Sequence, residues 1–166
     1  MGAKVTVLGA GSWGTALAVH LARVGHDVRL WARDADFAAT LSAARENPVY
    51  LPGVPFPPTV TANGDLAEAC TGSGMVVFVC PSSGVRPLAE NLRPLLRHEP
   101  VVVSAAKGVE QETHFTMSAI LEDVLGQNHR ARVAVLSGPS FAREVGRGVP
   151  TAVTAAARNP AVAEAV

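Results

Sequence analysis

The feature that most constrains this chain lies in residues 4–26, where a short β-branched run, a glycine-rich turn and an apolar helical stretch follow one another without interruption. Val5, Val7 and Leu8 make the run, Gly9, Gly11 and Gly14 occupy a G-x-G-x-x-G spacing, and Ala16, Leu17, Leu21 and Val24 recur at helical intervals. A strand that turns into a helix over three glycines suits an open, parallel, dinucleotide-binding sheet. Gly9 permits the tight turn, Gly11 lets backbone approach a pyrophosphate, and Gly14 allows the helix to pack closely. The anion would rest on the helix N-terminus, where the free N–H groups of Ser12 and Trp13 and the helix dipole favour negative charge.

Later segments repeat the alternation. Gly25 suits the end of the first helix and Asp27–Trp31 reads as a second strand. Helical stretches are expected over 35–45, 65–70, 84–97 and 113–125, the last ended by Gly126. Strands are expected over 75–80, 101–105, 133–136 and 151–155, and the segment holding Pro48, Pro52, Pro55, Pro57 and Pro58 reads as a stiff loop. Pro87 is placed in the first turn of its helix, where no N–H is needed. Near-continuous apolar strands without hairpin turns predict an α/β fold of Rossmann type, a doubly wound, mostly parallel sheet with helices on both faces. Asn159-Pro160 is a helix start, and the sequence stops at Val166 on an apolar stripe, so residues 1–166 are expected to form one domain of a longer protein.

Of the 166 residues 48% are hydrophobic and 17% charged, with formal net charge +0, so neither a nucleic-acid groove nor a polybasic membrane patch is suggested. No apolar run is long enough to span a bilayer, and there is no signal-peptide pattern. A formal myristoylation match at Met1–Thr6 falls into the first strand and is taken as accidental. Cys70 and Cys80 are expected as reduced thiols of a cytoplasmic protein. The five histidines, His20, His26, His98, His114 and His129, show no metal-ligand spacing, so no metal site is expected, and no nucleophile elbow occurs around Ser83 or Ser140.

In open α/β sheets ligands bind beyond the carboxyl ends of the strands, which directs attention to the residues just after each strand. After strand two comes Ala32-Arg33-Asp34. Arg33 suits a 2′-phosphate and leans the cofactor towards NADP, while Asp34 lies near the spacing of a ribose-binding acid and keeps NAD open; a solvated turn is the alternative. Pro81-Ser82-Ser83 offers hydroxyls or a helix cap. Lys107, leaving an apolar strand, offers a cation to an anionic substrate or snorkels to solvent. Ser137–Ala142 opens a short helix with exposed N–H groups, with Gly138 allowing close approach, and capping alone would account for Ser137 or Ser140.

Taken in order, Gly9-Ala-Gly-Ser-Trp-Gly14, Leu30-Trp-Ala-Arg33, Tyr50-Leu-Pro-Gly53, Val79-Cys-Pro-Ser82, Lys107-Gly108 and Ser137-Gly-Pro-Ser-Phe-Ala142 closely resemble the bacterial NAD(P)-dependent glycerol-3-phosphate dehydrogenases. The resemblance implies interconversion of sn-glycerol 3-phosphate and dihydroxyacetone phosphate for phospholipid synthesis. It further implies that Ser12, Trp13, Arg33, Tyr50, Lys107 and Ala142 touch the cofactor and that Lys107, Gly138 and Ser140 touch the substrate. Ala32 departs from the charged or polar residue often found beside that arginine. The family's helical C-terminal domain, which carries the proton-transferring lysine, would lie beyond residue 166, so the present residues alone would bind nucleotide without turnover, and the full-length protein would form a homodimer. Two rivals are another β-hydroxyacid or sugar-nucleotide dehydrogenase domain, against which Ser137–Ala142 speaks, and a non-catalytic nucleotide-sensing module.

Overall fold

A computed structural model describes residues 2–96 and 99–166. The chain begins β1 (Lys4–Leu8), α1 (Ser12–Arg23), β2 (Asp27–Trp31) and α2 (Ala35–Ala44), and continues through β3 (Glu46–Asn47), β4 (Leu51–Pro55), β5 (Val60–Asn63) and α3 (Leu66–Cys70). There follow β6 (Met75–Phe78), α4 (Ser82–Leu92), β7 (Val101–Ser104), α5 (Met117–Leu125), α6 (Gln127–Arg130) and β8 (Val133–Ser137). The described residues close with α7 (Ala142–Arg147), β9 (Thr154–Ala157) and α8 (Pro160–Glu164).

Seven strands form one sheet in the order β5-β2-β1-β6-β7-β8-β9, with every neighbouring pair parallel except β8–β9. This is the expected Rossmann-type topology. The strand order reverses between β1 and β6, which opens a crevice beyond their carboxyl ends.

Side chains alternate across the sheet and feed two cores. Val5, Val7, Val77, Val103 and Ala134 pack with α1 and with Leu51 and Val54 of β4, while Leu8, Val76, Phe78, Val102 and Val133 pack under α4 and α5. Helices therefore cover both faces, as the apolar strands require.

Local chemistry starts the helices where polar residues indicate. Asp34 Oδ1 accepts from the Phe37 N–H at 3.0 Å, Asp65 Oδ1 from the Glu68 N–H at 2.8 Å, and Asn159 Oδ1 from the Ala161 N–H at 3.1 Å with Pro160 behind it. Gly25 follows α1 with φ +100, its N–H donating to the Ala22 carbonyl at 3.1 Å.

Several boundaries differ from expectation. The proline-rich loop contains three strands: β3 and β4 pair antiparallel as a hairpin, and β5 joins the main sheet beside β2. Antiparallel pairing also occurs at the other edge, where the expected 151–155 strand lies at Thr154–Ala157 and pairs with β8 across the intervening α7. The 75–80 strand ends at Phe78. The expected 84–97 helix begins at Ser82, ends at Leu92 and passes into a tight turn over Arg93–Leu95; its expected end at Arg97, like His98 and Met1, lies outside the described residues. Pro87 sits inside α4 rather than in its first turn. The carbonyl it deprives of a partner belongs to Ser83, which is exposed to solvent. The helix expected from Thr113 starts at Met117, because the Thr113 hydroxyl donates to Glu110 and Thr116 supplies the cap, accepting from the Ala119 N–H at 3.3 Å.

Candidate functional site

The glycine turn occupies the crevice at the carboxyl end of β1, and each glycine answers a different steric demand. Gly9 has φ +124 and its N–H donates to the Trp31 carbonyl at 3.1 Å, so the turn continues the β1–β2 ladder in a conformation that side chains disfavour. A Cβ on Gly14 would fall 1.9 Å from the Gly9 carbonyl oxygen, so α1 rests directly on the turn that precedes it. A Cβ on Gly11 would meet nothing within 4 Å. Gly11 therefore faces open space, and that space lies before the first turn of α1.

The helix end there carries unspent polarity. Gly11 is the N-cap, it makes no side-chain capping bond, and the first turn contains no acid. The N–H groups of Ser12, Trp13 and Gly14 have no intrahelical acceptor, as in any first turn, and the dipole adds positive potential. Ser12 is exposed, while Trp13 is half-buried against the core and lines an apolar groove of about 300 Å³ with Leu17, Leu136 and Val153. Its backbone N–H, rather than its indole, is therefore what Trp13 adds to the first-turn donors. A helix N-terminus fronted by open space, with no side chain of its own to fill it, fits a pyrophosphate.

Beyond β2, Ala32 is 3% exposed and belongs to the core, which accounts for an alanine at that position. Arg33 is exposed. Asp34 spends one carboxylate oxygen on capping α2. Tyr50 projects from the hairpin turn, 53% exposed, with its ring edge-on to Phe37 at a centroid distance of 5.7 Å.

On the other side of the switch point three turns stand side by side. The β6 turn continues the ladder through the Val79 N–H to the Leu8 carbonyl at 2.9 Å, and the β7 turn through the Ala105 N–H to the Phe78 carbonyl at 2.9 Å. Ser82 does not cap α4, whose N-cap is Pro81; it lies instead across from Gly108, where a Cβ would sit 3.1 Å from its own Cβ. Lys107 is exposed and its Nζ donates to the Gly138 carbonyl at 3.3 Å, which brings together two of the residues singled out from sequence.

Gly138 itself is required by its own chain: a Cβ there would meet the Ala152 carbonyl oxygen at 2.8 Å, so the close approach is to the segment leading into β9. Neither Ser137 nor Ser140 caps α7; its N-cap is Phe141, with no side-chain bond and 70% exposed. Ser140 and Ala142 are half-buried at the start of that helix.

Electrostatics anchor the segment after Lys107. Arg86 of α4 forks onto Glu110 at 2.8 and 2.9 Å and reaches Asp123 of α5 at 2.8 Å. The Arg86 hydrogen bonds, and after them the Thr113 hydroxyl, hold the Glu110 carboxyl down to about 2. Burial pushes the Cys80 thiol, just past β6, up to about 11, and the Cys70 thiol equally far, so both remain protonated near neutrality. Among the described residues no cluster of three metal-ligating side chains occurs, and no helix is long and apolar enough to cross a membrane.

One residue of the site escaped the sequence reading. Asn47 is fully buried behind the glycine turn, where its side chain bonds the Ala10 carbonyl and the turn that carries Tyr50. A buried asparagine in a proline-rich segment has no local signature; the pattern Asn-Pro-x-Tyr reads as an ordinary turn.

Comparison with known proteins agrees with this fold. A family model described as the N-terminus of NAD-dependent glycerol-3-phosphate dehydrogenase matches residues 4–163. A glycerol-3-phosphate dehydrogenase [NAD(P)+] of Geobacter sp. (strain M21) is 46% identical over 166 residues, and one of Moorella thermoacetica is 50% identical over 163 residues. The chain spans about half the length of these curated relatives, 50% and 48%. The crystal structure of glycerol-3-phosphate dehydrogenase from Coxiella burnetii superposes with a TM-score of 0.90 at 36% identity, covering 99% of this chain and 49% of that one. The glycine turn, the strand order and the matched span lead to one assignment: the chain belongs to the family of N-terminal domains of NAD-dependent glycerol-3-phosphate dehydrogenases.

Proposed function

We propose that this domain binds NADPH or NADH and forms the cofactor half of an enzyme that interconverts sn-glycerol 3-phosphate and dihydroxyacetone phosphate, supplying phospholipid synthesis in the cytoplasm. The observation that carries the reading is the open space before Gly11 at an uncapped helix N-terminus. When bound, the nicotinamide supplies a hydride acceptor or donor for the carbinol carbon. The residues of this chain bind and orient. The N–H groups of Ser12 and Trp13 hold the pyrophosphate, Arg33 pairs with a 2′-phosphate and favours NADPH, and Tyr50 and Ala142 flank the cofactor. Lys107, held towards Gly138, meets the substrate together with Ser140, where its ammonium stabilises negative charge near the reacting carbon. A helical second domain, in the half of the relatives that this chain does not span, supplies the lysine that exchanges the hydroxyl proton.

Calorimetric titration tests the reading. The chain should bind NADPH more tightly than NADH, and Gly11→Val should keep the circular dichroism of the fold while abolishing both titrations, since the branched side chain fills the open space. Undiminished NADPH binding by folded Gly11→Val overturns the site. Nucleotide binding without turnover of dihydroxyacetone phosphate, once the chain is joined to a relative's second half, would favour a nucleotide-sensing module instead.

A further inference from the structure

The glycine turn and the Tyr50 turn are far apart in sequence, yet a single side chain bonds both. Asn47 has 0% exposure. Its Nδ2 donates to the Ala10 carbonyl at 3.0 Å and to Thr15 Oγ1 at 2.8 Å, and its Oδ1 accepts from the Val49 N–H at 3.2 Å and the Tyr50 N–H at 2.9 Å. Both amide hydrogens and both lone pairs are thus used, so the carboxamide is saturated. Its orientation follows from its partners, because two N–H groups require the oxygen and a carbonyl requires the nitrogen.

The consequence lies in the peptide unit between Ala10 and Gly11. In a trans peptide the C=O and N–H point in opposite directions. With the Ala10 oxygen drawn towards Asn47, the Gly11 N–H points away from Asn47 and joins the first-turn donors. The same carboxamide fixes the backbone of Tyr50, whose ring stands at the rim against Phe37.

We infer that Asn47 is the positioning residue of the nucleotide site, locking the glycine turn and the Tyr50 turn into one binding geometry before ligand arrives. The inference rests on the dinucleotide reading above. It gives a buried residue that touches no ligand a direct influence on affinity, by removing the cost of ordering two separate walls on binding.

The test measures NADPH affinity well below the unfolding midpoint, so that lost stability alone does not register. Asn47→Ala should weaken NADPH about tenfold or more. Asn47→Asp keeps acceptors for the Val49 and Tyr50 N–H groups but sets an oxygen against the Ala10 carbonyl; it should lose affinity similarly and shift the Gly11 amide resonance, and it decides the matter if the alanine variant does not fold. The control is Thr6→Val in β1, which removes an equally buried hydroxyl bonded to the Ala69 carbonyl and Ser73 Oγ, both at 2.6 Å. It should lower the unfolding midpoint and leave affinity unchanged. Folded Asn47 variants that bind NADPH within about twofold of the unmutated chain overturn the inference and leave the dinucleotide reading standing, as would an equal loss in Thr6→Val. An unmutated chain that binds no NADPH overturns both.

Discussion

The glycine turn at 9–14 and the hairpin at 46–55 form two walls of the same site, and they hold their shapes by different means. In the glycine turn backbone meets backbone: the α1 residue Gly14 would place a Cβ 1.9 Å from the Gly9 carbonyl, and nothing nearby has freedom to yield. In the hairpin, side chains do the holding. Leu51 is 1% exposed and Val54 3%, both sunk into the core beneath α7, and Asn47 bonds across to the turn. A wall built of backbone tolerates no added atom, whereas one built of side-chain ends tolerates small adjustment and depends on burial. The difference teaches that chemical precision at one site can come from a local rule on one side and from tertiary packing on the other.

The largest effect expected from this contrast is at Gly14. Replacing a helical glycine with alanine ordinarily gains about 1 kcal/mol of helix propensity. Here the gain is overwhelmed, because the carbonyl of Gly9 and the helix cannot both keep their places, and Gly14→Ala should cost roughly 4 kcal/mol or more. Chemical denaturation measures it. A variant as stable as the parent would show that the turn is softer than its contacts state.

Next comes the hairpin's own anchor. Leu51→Ala removes a buried side chain from the contact between β4 and the core and should cost about 3 kcal/mol, within the 2–5 kcal/mol usual for such cavities. Because Asn47 pairs with Leu51 in the hairpin register, the loss should also loosen the Val49 and Tyr50 amides, seen as a larger acceleration of hydrogen exchange there than at Gly9 and Thr15, whose N–H groups bond the Trp31 and Gly11 carbonyls. Equal acceleration at both walls would mean that the two fold as one unit and that the contrast drawn between them is false.

The same contrast governs what the sequence discloses. The glycine spacing, the apolar strands β1, β6 and β7, and the helix starts at Asp65 and Asn159 are local signals, and the structure places each element close to its expected position. The hairpin was hidden by its prolines. Pro52 and Pro55 lie in β4, which makes a two-stranded sheet apart from the main one, where a missing N–H costs no central ladder. The strand β5 is four residues long and lies at the sheet edge, too short for periodicity to reveal. Lys107 and Gly138 were each legible as residues following a strand, but their contact depends on β7 and β8 lying side by side, which no local pattern encodes. Asn47 was illegible for the same reason, since its partners at Ala10 and Thr15 lie more than thirty residues away.

The smallest expected effect is at Gly146 in α7, and it is the most direct comparison because the substitution and the helical setting match those at Gly14. A Cβ on Gly146 would lie 3.0 Å from Leu51 Cδ2 and 3.4 Å from Val54 Cγ2, both ends of side chains belonging to the hairpin wall. A displacement of a few tenths of an ångström relieves the contact, at a cost on the order of 1 kcal/mol that the helix-propensity gain of about the same size offsets. The Arg23 guanidinium keeps its bond to the Gly146 carbonyl at 2.7 Å, since no backbone has to move. Gly146→Ala should therefore leave the denaturation midpoint nearly unchanged, while Gly14→Ala collapses it. If the two alanines prove equally destructive, the hairpin side chains are locked as firmly as the turn's backbone, and packing rather than backbone contact sets the rigidity of both walls.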